Sequence, residues 1–214
     1  MIEVIKLTLL VNISATLLGM LFGLLLGYQL YFMKSKIKYL LIYLTKTMMG
    51  LPPVVLGLVL FMLLKTNGAF GFLHILYQPI SLVVAQTLLI IPIVSGNVYQ
   101  LLVSKGEVLF FTLDMFKLNF INKIKYSLFE FRNDLIFILI LGFSRAVSEV
   151  GSVMVVGGNI KDHTRIMTTA LANLKSQGNY NEALIYGVIL LLIAFIVQFG
   201  LSLLNKEEDN HENF

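Results

Sequence analysis

Five runs in which nearly every position is apolar divide this chain: about Val4 to Phe32, Tyr39 to Leu64, Ile80 to Val103, Leu135 to Val156 and Ala183 to Leu204. Each is close to the ~20 residues that cross the hydrocarbon of a bilayer as a helix. A pattern that is apolar all round, not striped, belongs to helices surrounded by lipid or by other helices. The predicted fold is therefore all-α, one polytopic transmembrane domain over residues 1–214 with about five spans. Between the third and fourth runs the pattern changes. Within "TLDMFKLNFINKIKYSLFE", Leu113, Phe116, Phe120, Ile124 and Leu128 recur every three or four residues, with Lys117, Lys123 and Lys125 between them. The 104–134 connection thus reads as carrying one amphipathic helix. Two occupants suit such a face: the groove of a soluble partner, or an anionic lipid surface.

Three interruptions mark the apolar runs. Gly19, Gly23 and Gly27 repeat every fourth residue and would give the first helix a smooth strip for close approach of a neighbour; glycines scattered through a membrane helix account for them equally well. That first run is longer than the apolar region of a signal peptide and has no clear small-residue cleavage site, so it reads as a true span. Pro52 and Pro53 interrupt the second run and predict a kink or break suited to a gate, because proline removes helix hydrogen bonds. The fourth run holds Arg145 and Glu149, four residues apart, with Ser144, Ser148 and Ser152 on the same helical stripe. A charge at the bilayer centre costs roughly 2.5–3.5 kcal/mol on insertion scales, so this face should point to the bundle interior or a wet pathway. Arg placed before Glu is the poorer intrahelical orientation, which suggests another helix as partner.

Composition narrows the chemistry. Of 214 residues, 57% are hydrophobic and 13% charged. Cysteine is absent, which removes disulfides, thiolate metal sites and a cysteine nucleophile. The net charge of +4 sits in loops between spans, where it sets orientation instead of binding nucleic acid. One set of loops holds Lys34, Lys36, Lys38, Lys105, Lys117, Lys123, Lys125, Arg132 and Lys206; the other holds only Lys6, Lys65, Lys161, Arg165 and Lys175. The richer set is cytoplasmic by the positive-inside rule, which places the N-terminus outside and the solvated 205–214 tail inside. His74, His163 and His211 have no metal-ligand spacing, and the serines of the fourth run have no histidine near them in sequence, so no metal, cofactor or catalytic residue is assigned. A phosphate loop of the G-x-x-x-x-G-K-[ST] kind is also missing. Any energy for transport would come from other subunits. The outer 159–181 segment reads as a short re-entrant or surface helix.

Four stretches carry a family resemblance: "GLPPVVLGL" from Gly50, "AQTLLIIPIV" from Ala85, "SRAVSEVGSVMVVGGNI" from Ser144 and "TRIMTTAL" from Thr164. They resemble the membrane permeases of tungstate ABC importers, over roughly Thr45 to Leu171. Molybdate and sulfate permeases are similar in outline but usually read E-F-G-A where this chain has Glu149, Val150, Gly151 and Ser152. The resemblance implies a type I importer permease in a bacterial or archaeal cytoplasmic membrane. It also implies a homodimer, two ATP-hydrolysing subunits on the cytoplasmic face and an extracytoplasmic oxyanion-binding protein. Such permeases carry an E-A-A-x-x-x-G segment leading into a coupling helix. Here "VLFFTLDM" stands in its place, with Val108 at the glutamate, Leu109 and Phe110 at the alanines and Asp114 at the glycine, while Thr112 and Leu113 fit the tungstate pattern.

The expected function is oxyanion import, with tungstate as substrate. Ser144, Arg145, Ser148, Glu149 and Ser152 are expected along the pathway and Pro52 and Pro53 at the gate. Thr112, Leu113, Asp114, Phe116, Phe120 and Ile124 are expected at the ATPase contact. Molybdate or sulfate transport, or a membrane anchor for a soluble enzyme, are the alternatives. A secondary transporter would show broken helices in corresponding halves, and the sequence shows one break.

Overall fold

The computed structural model describes residues 1–209, and every regular element among them is helical. Ten α-helices follow in order: α1 Ile2–Phe32, α2 Ile37–Met49, α3 Pro53–Leu64, α4 Pro79–Leu101, α5 Glu107–Met115, α6 Phe120–Glu130, α7 Arg132–Val147, α8 Gly151–Gly157, α9 Met167–Ser176 and α10 Tyr180–Asp209. Three helices, built on α1, α4 and α10, are long and apolar enough to cross a membrane, and two bent pairs, α2 with α3 at 104° and α7 with α8 at 59°, make five spans when each pair is counted as one. His211 and the rest of the tail's last five residues lie outside the described residues.

The centre of the bundle is the seam between α1 and α4, the most extensive helix–helix contact in the protein. Here the glycine repeat of α1 has a packing role. A Cβ on Gly19, Gly23 or Gly27 would lie 2.5–2.7 Å from Ile90, Val94 or Val98 respectively. Each step of four on α1 meets a step of four on α4, so the two helices run parallel, each glycine accepting one branched side chain. Asn12 and Gln86 are fully buried in the same region; neither amide atom of Asn12 and not the amide oxygen of Gln86 has a hydrogen-bond partner.

Past α4 the chain does not leave the helix. A π-helical turn, Leu102–Gly106, carries it directly into α5, so most of the 104–134 connection is helical. The single amphipathic helix expected across Leu113 to Leu128 is two helices. Between them the chain turns at Phe116–Asn119, where Lys117 takes a left-handed φ of 50°, and Asn119 starts α6 by accepting a hydrogen bond from the Asn122 N–H at 2.9 Å. An ion pair between Lys123 and Asp114 ties α6 to α5, and the Tyr28 and Ser127 hydroxyls, 2.8 Å apart, tie α6 to α1.

Candidate functional site

The two bent spans touch at their breaks. Pro52 and Pro53 end the backbone ladder of α2 and start α3 in a new direction; the fourth span breaks at Ser148–Val150. Gly151, the first residue of α8, lies against Val54 of α3, where an added Cβ would be 2.5 Å from Val54 Cγ2. Gly57 lies against Ser152, with a Cβ position 2.8 Å from Ser152 Cα. Paired glycines thus let two half-helices meet backbone to backbone.

The second break overturns the continuous stripe of Ser144, Ser148 and Ser152. Ser144 and Ser148 are exposed on α7, whereas Ser152 is buried at the start of α8. Glu149 organises the turn. It is 2% exposed, and its Oε1 accepts hydrogen bonds from the Ser152 N–H at 2.8 Å and the Ser152 hydroxyl at 3.1 Å. That is a helix cap delivered from just outside the helix, satisfying a donor that the break would orphan. The other oxygen, Oε2, lies 3.4 Å from Arg145 Nη1. The partner of Arg145 is therefore Glu149 itself and not a residue of another helix: the bend changes the geometry that disfavours this order on a straight helix. Arg145's side chain is 30% exposed. The site presents a half-open guanidinium with its counter-charge buried behind it, and the Ser148 hydroxyl donates to the Arg145 carbonyl at 3.0 Å.

The 159–181 segment is fastened to the same turn. The Thr168 hydroxyl of α9 donates to the Glu149 carbonyl at 2.8 Å, and the Met167 N–H donates to the Thr8 hydroxyl of α1 at 2.9 Å. At the far end of α8 the Val156 carbonyl accepts from the Tyr77 N–H at 3.0 Å and the Ser81 hydroxyl at 3.2 Å. His163 meets Gln78 at 3.0 Å.

At the lysine-rich end, the residues expected to meet an ATPase separate. Thr112, Asp114 and Phe116 are exposed. Leu113 is buried in the core, and Phe120 and Ile124 turn toward α1, with the Phe120 ring 5.2 Å from that of Phe32. The outward apolar face of α5 is instead Val108, Phe111 and Met115, spaced i, i+3, i+7 and 68–76% exposed, continued by Phe116. The run across 113–128 hid this face. Its sequence signal was the spacing of Val108, Phe111 and Met115, a stripe offset from the one that runs through Leu113.

No family model matches the chain. It is 40% identical over 164 residues to the tungstate uptake system permease protein TupB of Peptoclostridium acidaminophilum, covering 75% of this chain and 71% of that one. It is 32% identical over 168 residues to the protein of the same name from Campylobacter jejuni, covering 78% and 70%. A probable anion ABC transporter permease protein of Haloferax volcanii is 31% identical over 194 residues, covering 86% and 79%. With helices able to span a membrane, two of its spans broken where they touch, and this similarity over most of its length, the chain belongs to the family of tungstate and anion ABC transporter permeases.

Proposed function

We propose that this permease passes tungstate across the cytoplasmic membrane as a homodimer, with ATP hydrolysed by two partner subunits and the anion delivered by an external binding protein. The observation that carries the reading is the half-open Arg145 at the meeting point of two broken spans. Conduction requires a site that attracts an anion and releases it. Glu149 competes for the guanidinium and keeps its grip weak. Tungstate, ahead of molybdate or sulfate, rests on what the bacterial relatives are named for. The test is ATP-driven uptake into vesicles holding the permease with its cognate ATPase and binding protein. Labelled tungstate is expected to accumulate, and sulfate uptake undiminished by excess tungstate would overturn the assignment.

In this reading α5 docks the ATPase through Val108, Phe111, Met115 and Phe116. The π-helical turn joins α5 to α4, so a push on α5 is carried into the most buried long span. Phe111→Asp is expected to cut co-purification of the ATPase at least tenfold while the permease still inserts, because a charge replaces an apolar anchor. Phe120→Asp is expected to leave that recovery nearly unchanged. Loss with Phe120→Asp and none with Phe111→Asp would move the docking face to α6.

A further inference from the structure

We propose that an anionic phospholipid occupies the groove between α1 and α6, one acyl chain along the groove and its phosphate among lysines at the groove's end. This does not depend on the transported substrate. The groove is open along one side and holds about 690 Å³, within the range of ligand pockets, about 300–1,000 Å³. Leu21, Leu24, Leu25 and Phe32 form its α1 wall and Phe120, Ile124 and Leu128 its α6 wall. From Leu21 to Met33 the helix rises about 18 Å, close to the ~15 Å depth of one leaflet's hydrocarbon. The apolar length therefore fits a lipid tail.

On the α1 wall, charge is confined to one end. No acidic or basic residue lies on α1 between Lys6 and Lys34. Lys34 directly follows Met33, which lines the groove, and Lys117 sits in the turn just before Phe120, which lines it too. Lys36 and Lys125 are near them in the chain, on the loop after α1 and beside Ile124. All four are exposed and make no ion pair among the described residues. Their neighbours Lys38 and Lys123 are engaged, Lys38 with the Tyr31 carbonyl and Lys123 with Asp114. A greasy slot one leaflet deep, with unpaired ammonium groups at one end, matches an amphiphile with a negative head.

Native mass spectrometry of the full chain in mixed micelles tests this, with phosphatidylglycerol or phosphatidylcholine as the probe. About one phosphatidylglycerol per chain is expected to survive detergent exchange, retained at least tenfold over phosphatidylcholine. Lys34→Gln with Lys117→Gln should reduce that preference roughly 10- to 30-fold, as two surface lysines near a phosphate imply. Leu24→Trp should fill the slot and lose both lipids; if that chain does not fold, Leu128→Trp fills it from the α6 side. Equal retention of the two lipids, or unchanged retention in a folded tryptophan variant, would overturn the proposal. So would an intermolecular disulfide through Leu25→Cys, which would seat a second copy in the groove.

Discussion

Glu149→Ala is expected to lower the stability of the detergent-solubilised protein by about 3 kcal/mol, from loss of the cap to the Ser152 N–H at ~1 and of the Ser152 hydroxyl's hydrogen bond to a buried carboxylate at about 1.5–3. The ion pair is the lesser part. Arg145 is 30% exposed, so water screens its end of the pair and solvates the guanidinium when Glu149 is gone. Glu149→Gln separates these contributions, because the amide oxygen can still accept from the Ser152 N–H while the counter-charge is gone. That variant is expected to keep most of its stability and to slow oxyanion uptake per assembled complex, the anion now dwelling on an uncontested guanidinium. Thermal unfolding and normalised uptake check both. Equal destabilisation by Gln and Ala would mean that the charge, not the cap, holds the turn. Full uptake by Glu149→Gln would mean the pair is scaffolding.

Gly57→Val is expected to be as damaging, for a reason of space alone. The first carbon added at Gly57 already lies 2.8 Å from Ser152 Cα and 3.1 Å from its carbonyl oxygen. Those atoms are helix backbone and cannot swing aside, so α3 and α8 must separate. Overpacking of this kind typically costs about 1–3 kcal/mol, and here it also pulls apart the two breaks. Uptake per complex should fall at least tenfold, and Gly57→Ala should show an intermediate loss. Wild-type uptake by a folded Gly57→Val chain would show that contact between the breaks is dispensable.

The spans and the first break were legible because their signals are local: unbroken hydropathy for the spans, two adjacent prolines for the break. The second break was not. "AVSEVGSV" holds Ser148, Glu149 and Ser152 at a spacing that a continuous helix also accepts, and a carboxylate that caps a helix looks in sequence like one that lines a path. Gly151 was the usable clue, since a glycine there permits the Val54 contact. Periodicity misled at the lysine-rich end, where two short helices happened to continue one another's apolar phase. Asn119, a cap residue in mid-run, marked the boundary. The pairing of α1 with α4 depends on which distant helix a glycine strip meets, and no local pattern encodes that.

That pairing also sets a schedule for biosynthesis. The strip on α1 is complete when Phe32 has been made, but its mate ends about 70 residues later, at Leu101. At a synthesis rate of about 5–20 residues per second, the first helix waits roughly 4–14 s for the helix it packs against. During that interval the bare glycine backbone of α1 has no α4 to bury it. The second span, emerging in between, gives little cover, because its α2 half buries no residue even in the finished protein. The newly made helix must be sheltered by the insertion machinery or kept near the membrane surface until the third span arrives, and a ribosome pause before Leu101 would prolong its most vulnerable state.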